Sequence, residues 1–318
     1  MMNQFAVEGI VPVVPTPFTS DDKLDLAALA GLLEFAARGR VCAVCLPAYA
    51  SEFYKLVDAE RAAVVRRAIE VLDGRLPVVA QVNHVSSGYV AEMALEFERA
   101  GAAAISVAVP RLFGLPERDL LRYFDRVLRA ITVPLVIQDF NPGGATVSLD
   151  FVKALHAQHE NFRYLKLEEP LMSSRVRAIL EVTDGEVGVI DGWGGTYMLE
   201  LMEAGICGVM PGLAIADLLQ AIWDSARAGD KDAAYELFQG VLPQISYSLQ
   251  SLEFFHHAEK ALLAARGVLA NPAVRDATLT IDEVDRNHIQ FLNRKIVALA
   301  ESRTTGTSAA QMNRKDLA

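Results

Sequence analysis

A lysine inside an apolar run is the side chain best suited to covalent chemistry in this sequence. Lys166 stands in the stretch Tyr164-Leu165-Lys166-Leu167, whose composition favours a buried β-strand. Burial lowers the pKa of an ammonium group and frees the amine as a nucleophile, which Schiff-base formation with a 2-oxo group requires. A lysine that reaches solvent at a strand end, or one paired with Glu168, is the structural alternative.

Glu168 is the second candidate, because it lies two residues beyond Lys166 on the same predicted strand. Side chains alternate along a strand, so both face the same side. A carboxylate beside a Schiff base can move protons at the adjacent carbon. Neutralisation of the resting lysine is its alternative role, and the two roles are compatible. Lys166 and Glu168 are therefore predicted as catalytic residues.

Eight short apolar runs alternate with longer amphipathic segments, which predicts β-α units of a parallel sheet buried on both faces. The predicted strands are Ile10–Val14, Val41–Leu46, Pro77–Val82, Ala104–Ala108, Val133–Gln138, Arg163–Leu167, Glu186–Ile190 and Ile206–Met210. Eight such units in succession, without a reversal, favour a (β/α)8 TIM barrel over a doubly wound sheet.

After the eighth unit the pattern becomes wholly helical. The predicted helices are Ile215–Ala228, Asp230–Leu249, Leu252–Arg266 and Ile281–Ala300. We therefore divide the chain into a barrel (residues 1–214), a C-terminal helical extension (215–300) and a tail (301–318). The tail is rich in Ser, Thr and charge, which predicts disorder.

Composition excludes several classes of protein. The chain has 318 residues, of which 52% are hydrophobic, so a full core can form. The net charge is -10 and no Lys/Arg-rich run occurs, so the chain repels phosphate backbones and we expect no nucleic-acid partner. No apolar run approaches the roughly 18 residues of a membrane span, and residues 1–8 lack a signal-peptide pattern. We expect a cytoplasmic protein without a membrane partner.

Cofactor motifs are also missing. Neither a G-x-G-x-x-G pattern nor a P-loop occurs. The adjacent His256 and His257 of a predicted helix point in different directions, and besides Glu259 no other ligand is spaced to join them. Cys42, Cys45 and Cys207 are odd in number and lie in apolar runs, which favours reduced thiols over disulfides. We therefore expect neither a metal nor an organic cofactor.

In a TIM barrel the active site forms at the C-terminal ends of the strands. Besides Lys166 and Glu168, that rule selects Tyr49, Ala50, Ser51, His84, Gln138, Asp139, Asp191, Gly192 and Met210. Gln138 cannot transfer protons at neutral pH, so it is expected to bind the substrate or a water. His84 and the Asp191-Gly192 loop are expected to meet distal hydroxyl groups. A solvated histidine and a tight turn are the respective alternatives.

Two features together resemble the dihydrodipicolinate synthase / N-acetylneuraminate lyase family. These are Lys166 at the end of strand six and the opening Gly9-Ile-Val-Pro-Val-Val-Pro-Thr-Pro-Phe18. Ser51-Glu52, Asp58-Ala-Glu-Arg61, Pro134 and Gly205-x-x-Gly208 extend the similarity from roughly Gly9 to Ala300. The resemblance implies a homotetrameric or dimeric class I lyase on a TIM barrel with a helical extension. It also implies that Lys166 binds a 2-oxo acid as a Schiff base, without metal or organic cofactor.

The sequence departs from the family at the carboxylate-binding loop and at the end of strand five. The family's Gly-Thr-Thr-Gly-Glu stretch reads Ala48-Tyr49-Ala50-Ser51-Glu52, which leaves backbone amides and the Tyr49 and Ser51 hydroxyls as donors. The family's Tyr-Asn pair is Gln138-Asp139, so the proton-relay tyrosine is absent.

Two further departures concern loops that follow strands four and five. The synthase arginine is missing from Asn141-Pro-Gly-Gly144, and Arg111-Leu112 replaces a tyrosine pair. Dihydrodipicolinate synthase activity itself is therefore not expected.

Four loops look most like the 2-keto-3-deoxyarabonate dehydratase branch. They are Ser51-Glu52-Phe53-Tyr54, Gln138-Asp139, Lys166-Leu-Glu168 and Asp191-Gly-Trp-Gly194. We therefore predict a Schiff-base dehydratase of a 2-keto-3-deoxy sugar acid, with Glu168 as the leading acid/base and Tyr49 as the second. A pyruvate-dependent aldolase or synthase, and a catalytically silent barrel that binds a 2-oxo acid, are the alternatives.

Overall fold

The computed structural model describes residues 5–111, 114–141, 146–169 and 172–315, with only the helical backbone for 304–315. Leu112 and Pro142 to Gly144, which entered the family comparison, lie outside the described residues.

Eight parallel strands form one sheet with the order β1-β8-β7-β6-β5-β4-β3-β2. The strands are β1 (Gly9–Ile10), β2 (Val44–Leu46), β3 (Val78–Gln81), β4 (Ala104–Ala108), β5 (Leu135–Asp139), β6 (Phe162–Leu167), β7 (Gly188–Asp191) and β8 (Gly208–Val209). Val13, three residues after β1, forms parallel bridges with Cys45 of β2 and with Gly212 beyond β8. These bridges connect the two ends of the sheet and close the barrel. The predicted TIM barrel is confirmed, and each predicted strand overlaps an observed one.

Helices follow the strands around the outside of the barrel. They are α1 (Leu26–Arg38), α2 (Asp58–Leu72), α3 (Ser87–Ala100), α4 (Glu117–Leu128), α5 (Leu149–His156), α6 (Met172–Val182), α7 (Met198–Ala204) and α8 (Ala216–Arg227). Side chains of Asp25, Ser86 and Ser148 accept hydrogen bonds from the first turns of α1, α3 and α5.

Three further helices complete the C-terminal extension: α9 (Lys231–Ser248), α10 (Leu252–Ala265) and α11 (Glu283–Lys315). The last helix continues past Ala300 into the predicted tail, and the disorder of that tail stays a prediction. The division at residue 214 stays a prediction. Within the described residues, no helix is both long and apolar enough to cross a membrane.

Two buried layers position the site. Val13, Val79, Val136 and Ile190 belong to an apolar cluster inside the barrel. A larger cluster fills the space between strands and helices and continues into α9, α10 and α11. Because side chains alternate along each strand, neighbouring residues enter different layers. The residues that end the strands on the inner layer are therefore brought together at one mouth of the barrel.

Candidate active site

Lys166 and Glu168 form a buried ion pair at the C-terminal end of β6. Lys166 is 5% exposed and Glu168 is 7% exposed. The Nζ atom of Lys166 lies 3.1 Å from Oε1 of Glu168. Lys166 pairs in register with Gln138 on β5 and Ile190 on β7, so it lies at the level of the inner layer. The amine is thus held in a desolvated position beside a carboxylate.

Gln138 is hydrogen-bonded to Glu168. Its Nε2 donates to Oε1 of Glu168 at 2.5 Å, and its Oε1 accepts from Nε2 of Gln81 at 2.6 Å. Oε1 of Gln81 in turn accepts from Sγ of Cys45 at 3.6 Å. Gln138 was expected to bind a substrate or a water, whereas here both ends of its amide contact protein groups. Gln81 was not among the predicted site residues, although it is a polar residue within the apolar strand Pro77–Val82.

A cavity of about 240 Å³ opens beside Lys166. Five of its lining residues were predicted besides the ion pair: Tyr49, Ala50, Gln138, Gly192 and Met210. The rest of its wall includes Phe140, Trp193, Leu249, Gln250, Ser251, Leu252 and Phe255. The last five of these lie at the α9–α10 junction, so the helical extension supplies one side of the site. The wall is mostly apolar, with few polar side chains around the reactive amine.

The loop after β2 forms two short 3-10 helices, Tyr49–Ser51 and Phe53–Lys55. The ring of Tyr49 packs against Phe53 and Phe140, with centroids 4.9 and 5.1 Å away. Burial and then the charge of Glu168 raise the pKa of Tyr49, which keeps its phenol protonated. The tyrosine is therefore available as a proton donor at the cavity wall.

Ser51 does not line the cavity. Its Oγ donates to the carbonyl of Val14 at 2.6 Å and accepts from the amide of Ala48 at 3.0 Å. The hydroxyl thus holds the loop against the barrel.

Asp191 and Gly192 lie at the end of β7. Asp191 is fully buried behind the cavity wall, and its Oδ1 accepts from the amide of Trp193 at 2.9 Å. Burial raises the pKa of Asp191 to about 7. A Cβ on Gly192 would lie 2.6 Å from Cε of Lys166 and 2.4 Å from Cγ of Glu168. Only glycine leaves room for both side chains.

His84 and Asp139 lie outside the cavity lining. Nδ1 of the exposed His84 accepts from the amide of Ser86 at 2.9 Å. Asp139 is buried, forms an ion pair with Arg111 and accepts from the amide of Val147 at 2.7 Å. The predicted contact of His84 with distal hydroxyls and the predicted substrate-binding role of Asp139 stay predictions. Among the described residues, no three His, Cys, Asp or Glu side chains are grouped as metal ligands.

Comparison with known proteins agrees with this architecture. Residues 6–295 match the model of the dihydrodipicolinate synthetase family. An L-2-keto-3-deoxyarabonate dehydratase of Azospirillum brasilense is 30% identical over 271 residues, which cover 84% of this chain and 87% of that protein. The dihydrodipicolinate synthase structure from Rhodopseudomonas palustris has a TM-score of 0.83 at 25% identity, covering 91% and 97% of the chains. YagE of Escherichia coli K12, solved in complex with pyruvate, has a TM-score of 0.82 at 22% identity, covering 91% and 98%.

A buried lysine beside a carboxylate at the end of a barrel strand fits the Schiff-base chemistry of a class I lyase. This chain belongs to the dihydrodipicolinate synthetase family. It is therefore an enzyme, a class I lyase, and the silent-barrel alternative is no longer needed.

Proposed function

We propose that this lyase is a dehydratase of a 2-keto-3-deoxy sugar acid. The observation that carries the proposal is the buried Lys166, whose Nζ lies 3.1 Å from Oε1 of Glu168 in a cavity-lining position. The 30% identity to an L-2-keto-3-deoxyarabonate dehydratase over most of both chains supports this substrate class.

The covalent step starts at Lys166. Its Nζ adds to C2 of the 2-oxo acid, and water leaves as the imine forms. The positive imine acidifies the C3 protons, and a base removes one of them. The electron pair of the resulting enamine expels the C4 hydroxyl group, which takes up a proton and leaves as water. Hydrolysis of the unsaturated imine restores the amine, so the net change is the loss of one water.

Glu168 is the proposed proton carrier. It lies next to the amine, so it can accept the C3 proton and deliver it to the departing C4 oxygen. Tyr49 is the second candidate, because it lines the same cavity in a chain that lacks the relay tyrosine of the family. Gln138 holds the carboxylate by its amide and takes no proton.

The remaining lining residues suggest how the substrate lies. We place its carboxylate against the backbone of Tyr49 and Ala50, next to Lys166. Gln250 and Ser251 are the polar side chains proposed to meet distal hydroxyls, while Trp193 encloses the carbon chain. This choice follows from the position of the cavity, which His84 and Asp139 do not line.

Intact-protein mass spectrometry after borohydride reduction tests the proposal. The enzyme is incubated with 2-oxo acids from pyruvate to 2-keto-3-deoxypentonates and hexonates. One covalent adduct is expected in the wild type and in Glu168→Gln, and none in Lys166→Ala. An adduct that survives in Lys166→Ala, or none with any acid, would refute the role of Lys166.

An aldolase is the second candidate, because YagE of Escherichia coli K12, which is 32% identical over 132 residues, bears the name of a 2-dehydro-3-deoxy-D-gluconate aldolase. The same imine would then break the C3–C4 bond after loss of the C4 hydroxyl proton. Product analysis separates the two fates, because dehydration leaves the carbon chain intact and releases no pyruvate. Release of pyruvate from a 2-keto-3-deoxy acid would identify the aldolase instead.

Three further expectations accompany the proposal. The chemistry needs neither metal nor organic cofactor, since the imine itself accepts electrons. We also propose a homo-oligomer, a tetramer or a dimer, in which the helical extension contributes an interface. Cytoplasmic location stays a prediction.

A further inference from the structure

A row of four buried side chains crosses the inside of the barrel and ends on the proposed acid/base. Cys45, Gln81, Gln138 and Glu168 are 0%, 4%, 2% and 7% exposed. They come from β2, β3, β5 and the end of β6. The contacts between successive members measure 3.6, 2.6 and 2.5 Å.

Each of the first three members of this row donates its hydrogen bond towards Glu168. A carboxylate only accepts hydrogen bonds, so Gln138 must turn its NH2 group towards Glu168 and its oxygen towards Gln81. Gln81 must then present its own NH2 group to Gln138, which leaves its oxygen facing Cys45. Burial raises the pKa of Cys45 to about 12, so its thiol keeps the proton that this oxygen accepts.

We propose that Gln81 is a positioning residue of this enzyme, which keeps the NH2 group of Gln138 on Glu168. This inference rests on the proposed role of Glu168 as proton carrier. Gln81 is absent from the cavity lining, so it acts through Gln138 and not on the substrate.

Loss of the Gln81 donor leaves the buried oxygen of Gln138 unpaired. Without this anchor the amide is no longer held with its NH2 group on Glu168, and each orientation that loses this contact disfavours the ionised form of the carboxylate. Three other groups face Glu168: Lys166, Asp191 and Tyr49. None of them changes in a Gln81 variant, so the shift reports on the amide alone.

The test is exchange of the methyl protons of pyruvate in D2O, followed by NMR across a range of pD. Exchange needs imine formation and an ionised base, but not the natural substrate. In Gln81→Met we expect the acid limb of the exchange-rate profile to move to higher pD by about one unit. At a pD below this limb, exchange should then be about tenfold slower than in the wild type. The plateau rate at high pD should change much less.

Ser106→Ala is the matched control. Ser106 lies beside Gln81 in the β3–β4 register, and its buried Oγ has no hydrogen-bond partner within the described part of the chain. Removal of this hydroxyl changes the barrel interior next to Gln81 but leaves the hydrogen bonds from Cys45 to Glu168 intact. The exchange-rate profile of Ser106→Ala should therefore match that of the wild type. Gln138→Met should shift the acid limb in the same direction. The double variant should shift it little further, because both changes remove the same contact between the Gln138 amide and Glu168.

An unshifted profile in folded Gln81→Met would overturn the inference. If that variant does not fold, Gln81→Asn, which is one methylene too short for the contact, is expected to show the same shift and serves the same purpose. A borohydride adduct in the wild type is required first. If none forms with any of the 2-oxo acids, the proposed function is refuted and the role of Gln81 with it. An adduct with pyruvate together with an unshifted profile refutes the role of Gln81 alone.

Discussion

The reactive amine is confined by a residue that has no side chain. Gly192 is the first residue after β7, and its amide donates to the carbonyl of Leu167 at 2.8 Å. This bond holds the backbone of the loop against β6, directly over Lys166 and Glu168. The close approach leaves no room for a Cβ between the loop and the ion pair. The geometry of the proposed reactive amine therefore depends on the position of the Gly192 backbone as well as on Lys166 itself.

Replacing this glycine should displace both catalytic side chains. In Gly192→Ala the added Cβ would come within 2.6 Å of Lys166 and 2.4 Å of Glu168. We expect kcat to fall about 100-fold, since a displacement of this size misplaces the reacting groups. Steady-state kinetics on the preferred 2-oxo acid provide the measurement.

Gly31→Ala is its control, because that Cβ would meet only the carbonyl of Val268 at 3.8 Å. Gly31 is exposed within α1, so the change should leave kcat intact and stabilise the protein by about 0.5–1 kcal/mol. Equal kcat in the two variants would show that the loop can retreat from the ion pair.

Two elements distant in sequence are joined by a buried charge cluster. Glu52, between the two 3-10 helices, is bound by Nζ of Lys260 on α10 at 2.5 Å and by Nζ of Lys55 at 3.2 Å. It also accepts from the amide of Arg275 at 3.1 Å. Tyr49 and Phe255, which both line the cavity, are carried by the two elements that this cluster connects. The cluster therefore attaches the extension to the loop after β2.

Breaking this cluster should weaken the whole fold. In Lys260→Met the fully buried Glu52 loses its shortest ion pair, and we expect the free energy of unfolding to drop by about 3 kcal/mol. Urea titration followed by circular dichroism measures the loss. Lys231→Met removes an ion pair of similar length whose side chains are 75% and 68% exposed, so no measurable change is expected there.

The double variant Glu52→Gln, Lys260→Met separates charge from packing. It should recover part of the loss, because the uncompensated carboxylate is gone. No recovery would mean that the lysine stem, not its charge, stabilises the contact.

At the scale of the whole molecule, the barrel and its extension share one continuous apolar core. Leu32 of α1 and Phe124 of α4 belong to the same cluster as Ile245 of α9, Leu263 of α10 and Ile296 of α11. The extension also supplies a wall of the cavity. Such sharing favours cooperative unfolding, although the sequence pattern divides the chain at residue 214.

The two tryptophans of the chain can test this cooperativity. Trp193 lies in the loop after β7, and Trp223, which is 4% exposed, lies on α8 within the predicted extension. In the single-tryptophan variants Trp193→Phe and Trp223→Phe, the urea midpoints reported by fluorescence should coincide with those from circular dichroism of the same variant. Separate midpoints for fluorescence and circular dichroism would indicate that the two parts unfold independently.

The sequence alone determined the elements and the central pair of the site. Apolar periodicity is a local property, so it predicted all eight strands and the wholly helical C-terminal part. Lys166 and Glu168 could be placed on one face because strand alternation is also local. The strand-end rule then brought Tyr49, Ala50 and Met210 to the same mouth of the barrel.

Tertiary structure decided which strand-end residues enter the cavity and what faces them. Ser51 turns back to Val14, and His84 and Asp139 lie outside the lining, because loop path and strand register depend on neighbours remote in sequence. Gln81 is recognisable as polar within its strand, but its contact with Gln138 exists only once the barrel closes. The α9–α10 wall likewise reaches Lys166 only through packing of the extension, which no local pattern encodes.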